Sequence, residues 1–453
     1  MPAVAVLANS YWSAKLAMEA LPVEWNPGAH AGLSSMEIDN GLRRQLDSEE
    51  GFAYYTSGDV SSVDGQFKIV EAEYRAPFLA HAAMEPINCT AQLVDGKLHI
   101  WTSTQAPTFA VEAAAKTAKL KIEDVTLHMS YLGGGFGRRL EVDMVAQATA
   151  IAMQAKGRPV QVIWSREDDF AHDMYRPAAL ARFTAKLDKD NRVVSYVNKS
   201  ASGSVTHQFL QRNLGLPPAG PDKATAEGEF DLPYEFPHQH IAHVIVESAV
   251  PLGNWRSVGH SHNAFFKESF IDELAVAAGK DTVEFRRSLL TRHPRHLAVL
   301  NAAVEKAGRP EAGRALGVAL HQSFGSIVAQ VAEVSLQGKE IRVHKVTCAI
   351  DCGLAVNPNI IAQQMESAVV FGLCAALHGE ITLQDGRVQQ SNFHDYPVLR
   401  MLQAPQVDTI IMPSALPPAG VGEPATPPIA PAVANALFSL TGQRLRSLPL
   451  RLG

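Results

Sequence analysis

The chain opens on a continuous apolar run, Ala3-Val4-Ala5-Val6-Leu7-Ala8, the pattern of a strand buried on both faces. Asn9 or Ser10 then caps a helix through Leu21, and Val23-Glu24-Trp25 reads as a further strand. A domain rarely begins with its most buried strand, so this segment reads either as a sheet starting at the terminus or as the middle of a larger unit. Residues 28–65 are polar, contain Gly and Ser, and read as a linker or extended loop. From Gln66 strands and helices alternate. Gln66–Tyr74 is a strand, and Gln92–Val94 with Leu98–Trp101 form a hairpin around the turn dipeptide Asp95-Gly96. Val125–Tyr131 is a strand, followed by a glycine cluster and a helix over Val142–Gln154. A strand at Pro159–Trp164 and a hairpin over Ala179–Asn198 come next, then a Pro/Gly-rich loop, Pro217–Phe236. Phe265–Ala278 is amphipathic, with Phe266, Phe270, Ile271 and Leu274 on one face. Asp281 opens a helix to Thr291, and His293 and His296 flank Pro294 at a helix break.

A second unit starts near residue 301. Strands fall around Val328–Leu336 and Val343–Ile350, a helix spans Asn359–Leu377, and Asp385-Gly386 marks another hairpin. A last helix, Ile429–Leu440, is ended by Gly442. The fold class is therefore α+β with two sizeable units. The expected division is 1–61 as the end of a preceding α/β domain plus linker, 62–300 as a first unit and 301–453 as a second.

Composition narrows the function. The chain has 453 residues, 46% hydrophobic and 19% charged, with Lys+Arg 40 against Asp+Glu 46. A net charge of −6 disfavours a nucleic-acid surface. No run approaches the ~18 uninterrupted apolar residues of a membrane span. The N-terminus has neither a basic signal-peptide region nor a twin-arginine pair. Cys89, Cys348, Cys352 and Cys374 are too scattered for a disulfide framework or the cysteine sets of iron–sulfur clusters, and Cys348 and Cys352 read as buried. His238, His240 and His243, with His260 and His262, indicate no carboxylate or third ligand and read as solvated strand and loop histidines, not zinc ligands.

The sharpest motif is Gly133-Gly134-Gly135-Phe136-Gly137-Arg138-Arg139, between a strand and a helix. It fails both the dinucleotide fingerprint and the P-loop pattern, which weakens a nucleotide-binding reading. Four glycines in five positions still require a backbone that something approaches closely. Gly420-Val421-Gly422-Glu423-Pro424 holds a lone carboxylate between glycines and prolines, a setting for a rigid general base or for an ordinary helix-entry loop. Gln105 follows a strand end, and Arg256 lies in a loop ahead of the Phe265 helix, where it could clamp negative charge.

Taken with Met84-Glu85-Pro86, Gly253-Asn254-Trp255-Arg256-Ser257, Phe324-Gly325-Ser326, Asp351-Cys352-Gly353, Asn357-Pro358 and Gln364-Met365-Glu366-Ser367, these motifs form an ordered set. The set resembles the molybdenum-binding large subunit of the xanthine dehydrogenase/aldehyde oxidase family, in particular its isoquinoline 1-oxidoreductase beta-subunit branch, across residues 62–453. The first 61 residues then correspond to a remnant of a hammerhead-like domain. The resemblance implies a molybdenum-pyranopterin, in this branch the cytosine dinucleotide form, with no direct protein ligand to the metal. Residue by residue it implies that Gln105 hydrogen-bonds the metal's oxygen ligand and that Gly135, Phe136 and Gly137 border the cofactor. It further implies that Gln364 and Ser326 contact the cofactor, that Arg256 lies near the substrate, and that Glu423 is the general base. The implied reaction inserts a water-derived oxygen into an N-heteroaromatic compound or an aldehyde.

Two departures accompany it. A Met-Gly-Gln-Gly segment that grips the cofactor in the family is missing, as is an N-terminal half. Glu141 also lies one residue farther from Gly137 than in the xanthine-oxidising members, so a purine is not supported. The resemblance implies three kinds of protein partner: a small subunit with [2Fe–2S] clusters, a chain supplying the missing half, and a cytochrome. It points to the periplasm by way of a partner, and otherwise to the cytoplasm. The alternative is a non-catalytic remnant or assembly scaffold that binds no molybdenum.

Overall fold

Three sheets carry the fold of a computed structural model that describes residues 4–453 except 27, 64 and 232. The largest has five strands in the order Phe52–Ser57, His238–Ile245, Val193–Ser202, Ala179–Leu187, Lys68–Ala76. A four-stranded sheet pairs Val125–Met129, Lys97–Thr102, Asn88–Val94 and Val160–Ile163 in that order. Its helices Pro107–Ala118 and Asp143–Ala152 bury alanine-rich faces against Cys89, Leu98 and Ile100. The expected hairpin turn is present, with Asp95 and Gly96 at φ 48° and 75° as its tight geometry requires. The C-terminal sheet runs Ala315–Ser323, Ser326–Gln337, Glu340–Asp351, Gln406–Ile411, the last pair parallel.

Helix His260–Ala277 joins the two halves. Phe265, Phe266 and Phe270 pack on Tyr74 and Phe183 of the five-stranded sheet, while the opposite side meets helix Ile429–Thr441 and strand Ala315–Ser323. The helix is not amphipathic as expected: 16 of its 18 residues are buried. Its polar side is neutralised inside the protein. Arg286 pairs with Glu268 at 3.2 Å and Asp272 at 3.3 Å, Arg444 reaches Asp272 at 2.8 Å, and Tyr74 donates to Glu273 at 2.6 Å. Hydropathy alone cannot distinguish such a face from a solvated one.

Several sequence expectations are corrected. Residues 4–8 form no strand, Val4 and Trp25 being 72% and 80% exposed, and Ala3 lies outside the described residues. The expected helix is present as Tyr11–Glu19, with Ser10 accepting from the Ser13 N–H. Within 28–65 lies a capped helix, Ser35–Ser48, whose Leu42 and Leu46 pack on Leu180, Ala201 and Val244. The strand Phe52–Ser57 then edges the large sheet, so a boundary at 61/62 would cut through that unit. The expected helix break is present between Thr282–Ser288 and Pro294–Ala307, with Pro294 in the first turn of the second helix.

Among the described residues one helix, Pro358–Leu377, is long and apolar enough by length and composition to cross a membrane. Polar positions such as Gln364, Glu366 and Ser367 interrupt its apolar residues, so no uninterrupted run marks it. Its Ile361, Met365 and Ala368 pack on Val328, Cys348, Ile350 and Ala425 in the C-terminal unit.

Candidate functional site

The glycine turn is shaped by what lies against it. A Cβ at Gly133 would meet the Glu85 side chain at 2.4 Å, one at Gly135 the Gln105 Oε1 at 2.5 Å, and one at Gly137 the Asn254 carbonyl at 1.4 Å. Gly137, at φ 108°, therefore admits neither the conformation nor the volume of another residue. Two arginines hold the turn from behind, each nearly fully buried. Arg139 donates to the Gly134 carbonyl at 2.8 Å and to Glu85 at 2.9 Å, and Arg138 makes a two-point pair with Asp143 at 2.9 and 2.8 Å. Glu85 also accepts from the Gly133 N–H at 2.8 Å. Burial raises the Glu85 carboxyl, but bonds from Asn88 and Gly133 and the charge of Arg139 hold it below the ordinary range.

Gln105 closes the turn on its open side. Its Oε1 accepts from the Gly137 N–H at 3.1 Å, and its own N–H donates to the Arg139 carbonyl at 2.9 Å. Between these fixed points Phe136 sits at φ 54°, a left-handed conformation costly for a bulky residue, and stacks on Phe371 with centroids 4.3 Å apart. Trp255 stacks on the same Phe371 at 4.7 Å. A cavity of about 430 Å³, bordered by Met84, Phe136, Trp255, Phe371 and Tyr396, opens along this aromatic side.

The loop 253–257 links the glycine turn to Glu423. Ser257, at φ 76°, donates its N–H to Glu423 Oε1 at 2.8 Å and its hydroxyl to the Glu423 carbonyl at 2.8 Å. Arg256, 6% exposed, donates to the Gly422 carbonyl at 2.8 Å, to Ser367 at 3.1 Å and to Gln364 Oε1 at 3.1 Å. Burial pulls its guanidinium down to about 10, the charge of Glu423 opposing, so it stays cationic at neutral pH. These bonds clamp the Glu423 loop to helix Pro358–Leu377, a supporting place for a residue that the sequence suggested near the substrate. Ser326 is corrected likewise. It is fully buried, and its hydroxyl donates to the Gly420 carbonyl at 2.6 Å, which tethers the Glu423 loop and leaves no atom to touch a cofactor.

Thus Gln105, Gly135, Phe136 and Gly137 form one wall, and Gln364 and Glu423, clamped together by Arg256, a second, joined at the contact between Gly137 and Asn254. Among the described residues the N–H groups of Gly134, Gly135 and Phe136 and the amide nitrogens of Gln105 and Gln364 donate to no protein acceptor. Such a set of neutral donors suits an anionic group rich in oxygen and sulfur. No group of three His, Cys, Asp or Glu residues is placed to hold a metal ion among the described residues. His238 accepts from the Asp59 N–H and His240 faces Thr56, both partly exposed, whereas His243, His260 and His262 are buried, which corrects the solvated reading for those three. Glu141 is committed to Arg212 and to Asn213.

Arg138, Arg139, Ser257 and Ser367 stand in the quoted motifs without a role, and Phe371 stands in none of them. Apart from Asp143 and Gly134, five positions from Arg138 and Arg139, their partners lie tens to hundreds of positions away. The available signal was the pair of arginines directly after the glycines.

A molybdopterin cofactor-binding domain model matches residues 46–290, and a second one matches residues 301–405. Over 99% of its length the chain is 32% identical to the isoquinoline 1-oxidoreductase subunit beta of Brevundimonas diminuta, of which it covers 59%. It is 29% identical, again over 99% of its length, to the membrane-bound aldehyde dehydrogenase (pyrroloquinoline-quinone) of Gluconacetobacter polyoxogenes, of which it covers 62%. The chain therefore spans less than two thirds of either relative. The crystal structure of quinoline 2-oxidoreductase from Pseudomonas putida 86 shares the fold, with TM-score 0.76 and 15% identity over 98% of this chain and 83% of that one.

Proposed function

The chain belongs to the molybdopterin cofactor-binding family of the xanthine dehydrogenase/aldehyde oxidase type, and from that premise we propose that it is the large subunit, or a split part of one, of a molybdenum hydroxylase. Its reaction is oxygen insertion from water into an N-heteroaromatic compound or an aldehyde. The observation that supports this reading is the loop 253–257, which touches Gly137 of the turn held by Gln105 and, through Arg256 and Ser257, bonds to Gln364 and Glu423.

The cofactor, when bound, supplies two-electron redox chemistry and Lewis-acid activation. The chain supplies the rest. Unspent donors of Gly134, Gly135, Phe136, Gln105 and Gln364 hold the cofactor. Glu423 takes a proton at the carboxylate oxygen not engaged by Ser257. Arg256 keeps that carboxylate in register through the Gly422 carbonyl, as a positioning residue. Phe136, Trp255 and Phe371 give the site an apolar flank on which a planar ring can rest.

The same premise makes the cytosine dinucleotide the form of the cofactor. It also calls for a small [2Fe–2S] subunit, a chain supplying the length that the relatives have in addition, and a cytochrome. The division into units 62–300 and 301–453 remains part of the proposal, with its first boundary moved ahead of Phe52.

The test is elemental analysis and nucleotide release. Purified with its partners, the protein should carry molybdenum and yield CMP on mild acid hydrolysis. Molybdenum without CMP would reject only the dinucleotide form; a protein with its partners and no molybdenum would reject the function.

A further inference from the structure

Directly behind the contact between Gly137 and Asn254 lies His81, 2% exposed. Its Nδ1 stands 2.9 and 3.0 Å from the two oxygens of Asp173, and its Nε2 stands 2.8 Å from the Asn254 carbonyl. Ionised carboxylates and carbonyls accept hydrogen bonds and donate none. Each ring nitrogen therefore faces an acceptor, and each must carry a hydrogen. Turning the ring over would set carbon atoms against both acceptors, so the orientation is determined by the contacts.

The surroundings keep Asp173 an acceptor: Arg138 Nε lies 3.2 Å from it, while the neighbouring Asp169 has its own partner in Arg166 Nη1 at 2.7 Å.

We infer that His81 is an imidazolium positioning residue: held by Asp173 on one nitrogen, it donates from the other to the Asn254 carbonyl and sets the loop 253–257 against the glycine turn. Asp173 is itself fixed by the N–H groups of His81 and Met174, each at 2.7 Å. Through Arg138 it reaches the glycine turn, and through His81 it reaches the loop that carries Arg256 and Ser257. One buried carboxylate thus ties both walls of the site together. A lone hydrogen bond from a neutral ring would satisfy only one of the two acceptors.

The importance of this clasp for cofactor loading rests on the function proposed above; the protonation of the ring does not. The experiment is 15N and 13C NMR of the full chain, with its partners, carrying labelled histidine. The His81 resonance is identified by its loss in His81→Phe. At neutral pH both its nitrogens should resonate as protonated, and Asp173→Asn, which can donate to Nδ1, should convert Nδ1 alone to the unprotonated type. One bare nitrogen in the wild type would overturn the inference.

Molybdenum per chain gives the second readout. His81→Phe should lower it by about 10-fold or more at unchanged circular dichroism, the scale of losing an outer-shell partner. Unchanged loading would refute the positioning role, even with a protonated ring. Wild-type protein without molybdenum would reject the proposed function and leave the NMR result standing.

Discussion

At the scale of single residues, Glu423 has one oxygen held by the Ser257 N–H at 2.8 Å and its backbone held by Ser257 and Arg256. The carboxylate is thus fixed by its surroundings rather than by what it binds. Glu423→Gln preserves these contacts and removes the basic oxygen. It is expected to retain molybdenum and lose at least ~10²-fold in turnover, the low end for loss of a general base; a near-normal rate would remove Glu423 from the chemistry. Gly137→Ala tests the opposite kind of residue, one required for space. Its Cβ would meet the Asn254 carbonyl at 1.4 Å on a left-handed backbone. Urea unfolding should show a loss of about 3 kcal/mol or more, combining backbone strain with overpacking. The need for glycine in this turn was legible in the sequence. What approaches it was not, because Glu85, Gln105 and Asn254 come from segments that only the fold brings together.

At the scale of elements, the central helix shows where reading periodicity stops. Phe266, Phe270, Ile271 and Leu274 announced a buried face, but Lys267, Glu268 and Asp272, off that face, are buried as well. Arg286→Ala would leave Glu268 and Asp272 short of a partner, and should cost about 3–5 kcal/mol in an unfolding experiment, as for a broken buried pair. The same buried polar core makes stability depend on pH. Burial pulls His243 and His296 down to about 4, whereas unfolded imidazoles titrate near ~6.5. Between those values the unfolded chain binds protons that the folded chain refuses, so stability falls as the pH drops through that window. Glu229 acts in the opposite sense. Burial pushes it up to about 8 against ~4.3 unfolded, so its contribution declines as the pH rises toward 8. Thermal midpoints should therefore peak near neutrality, and Glu229→Gln should remove the decline on the alkaline side up to pH ~8. A midpoint that rose steadily from neutrality to pH ~8 in the wild type would contradict the burial of Glu229.

At the scale of the whole molecule, the α+β class, the hairpins and the long C-terminal helices were readable, because strong turn dipeptides and caps bound them. The helix Ser35–Ser48 and strand Phe52–Ser57 were not: Ile38, Leu42 and Leu46 recur every four residues, but polar neighbours mask the stripe. The order of motifs identified the family, and six of the eight residues singled out fall in two groups joined by the loop 253–257. Arg256 and Ser326 lie at their support instead, Arg256 clamping the Glu423 loop and Ser326 tethering it through Gly420. Since the chain covers 59% and 62% of two relatives, loading with cofactor is the step on which the account depends. The decisive measurement is molybdenum per chain, by elemental analysis, on protein isolated gently from its native host with its partners attached. The account predicts close to one atom per chain, in the wild type and in Glu423→Gln alike. Partner-bound protein that contains no molybdenum would contradict it, and would mark the chain as a scaffold that keeps the fold without the chemistry.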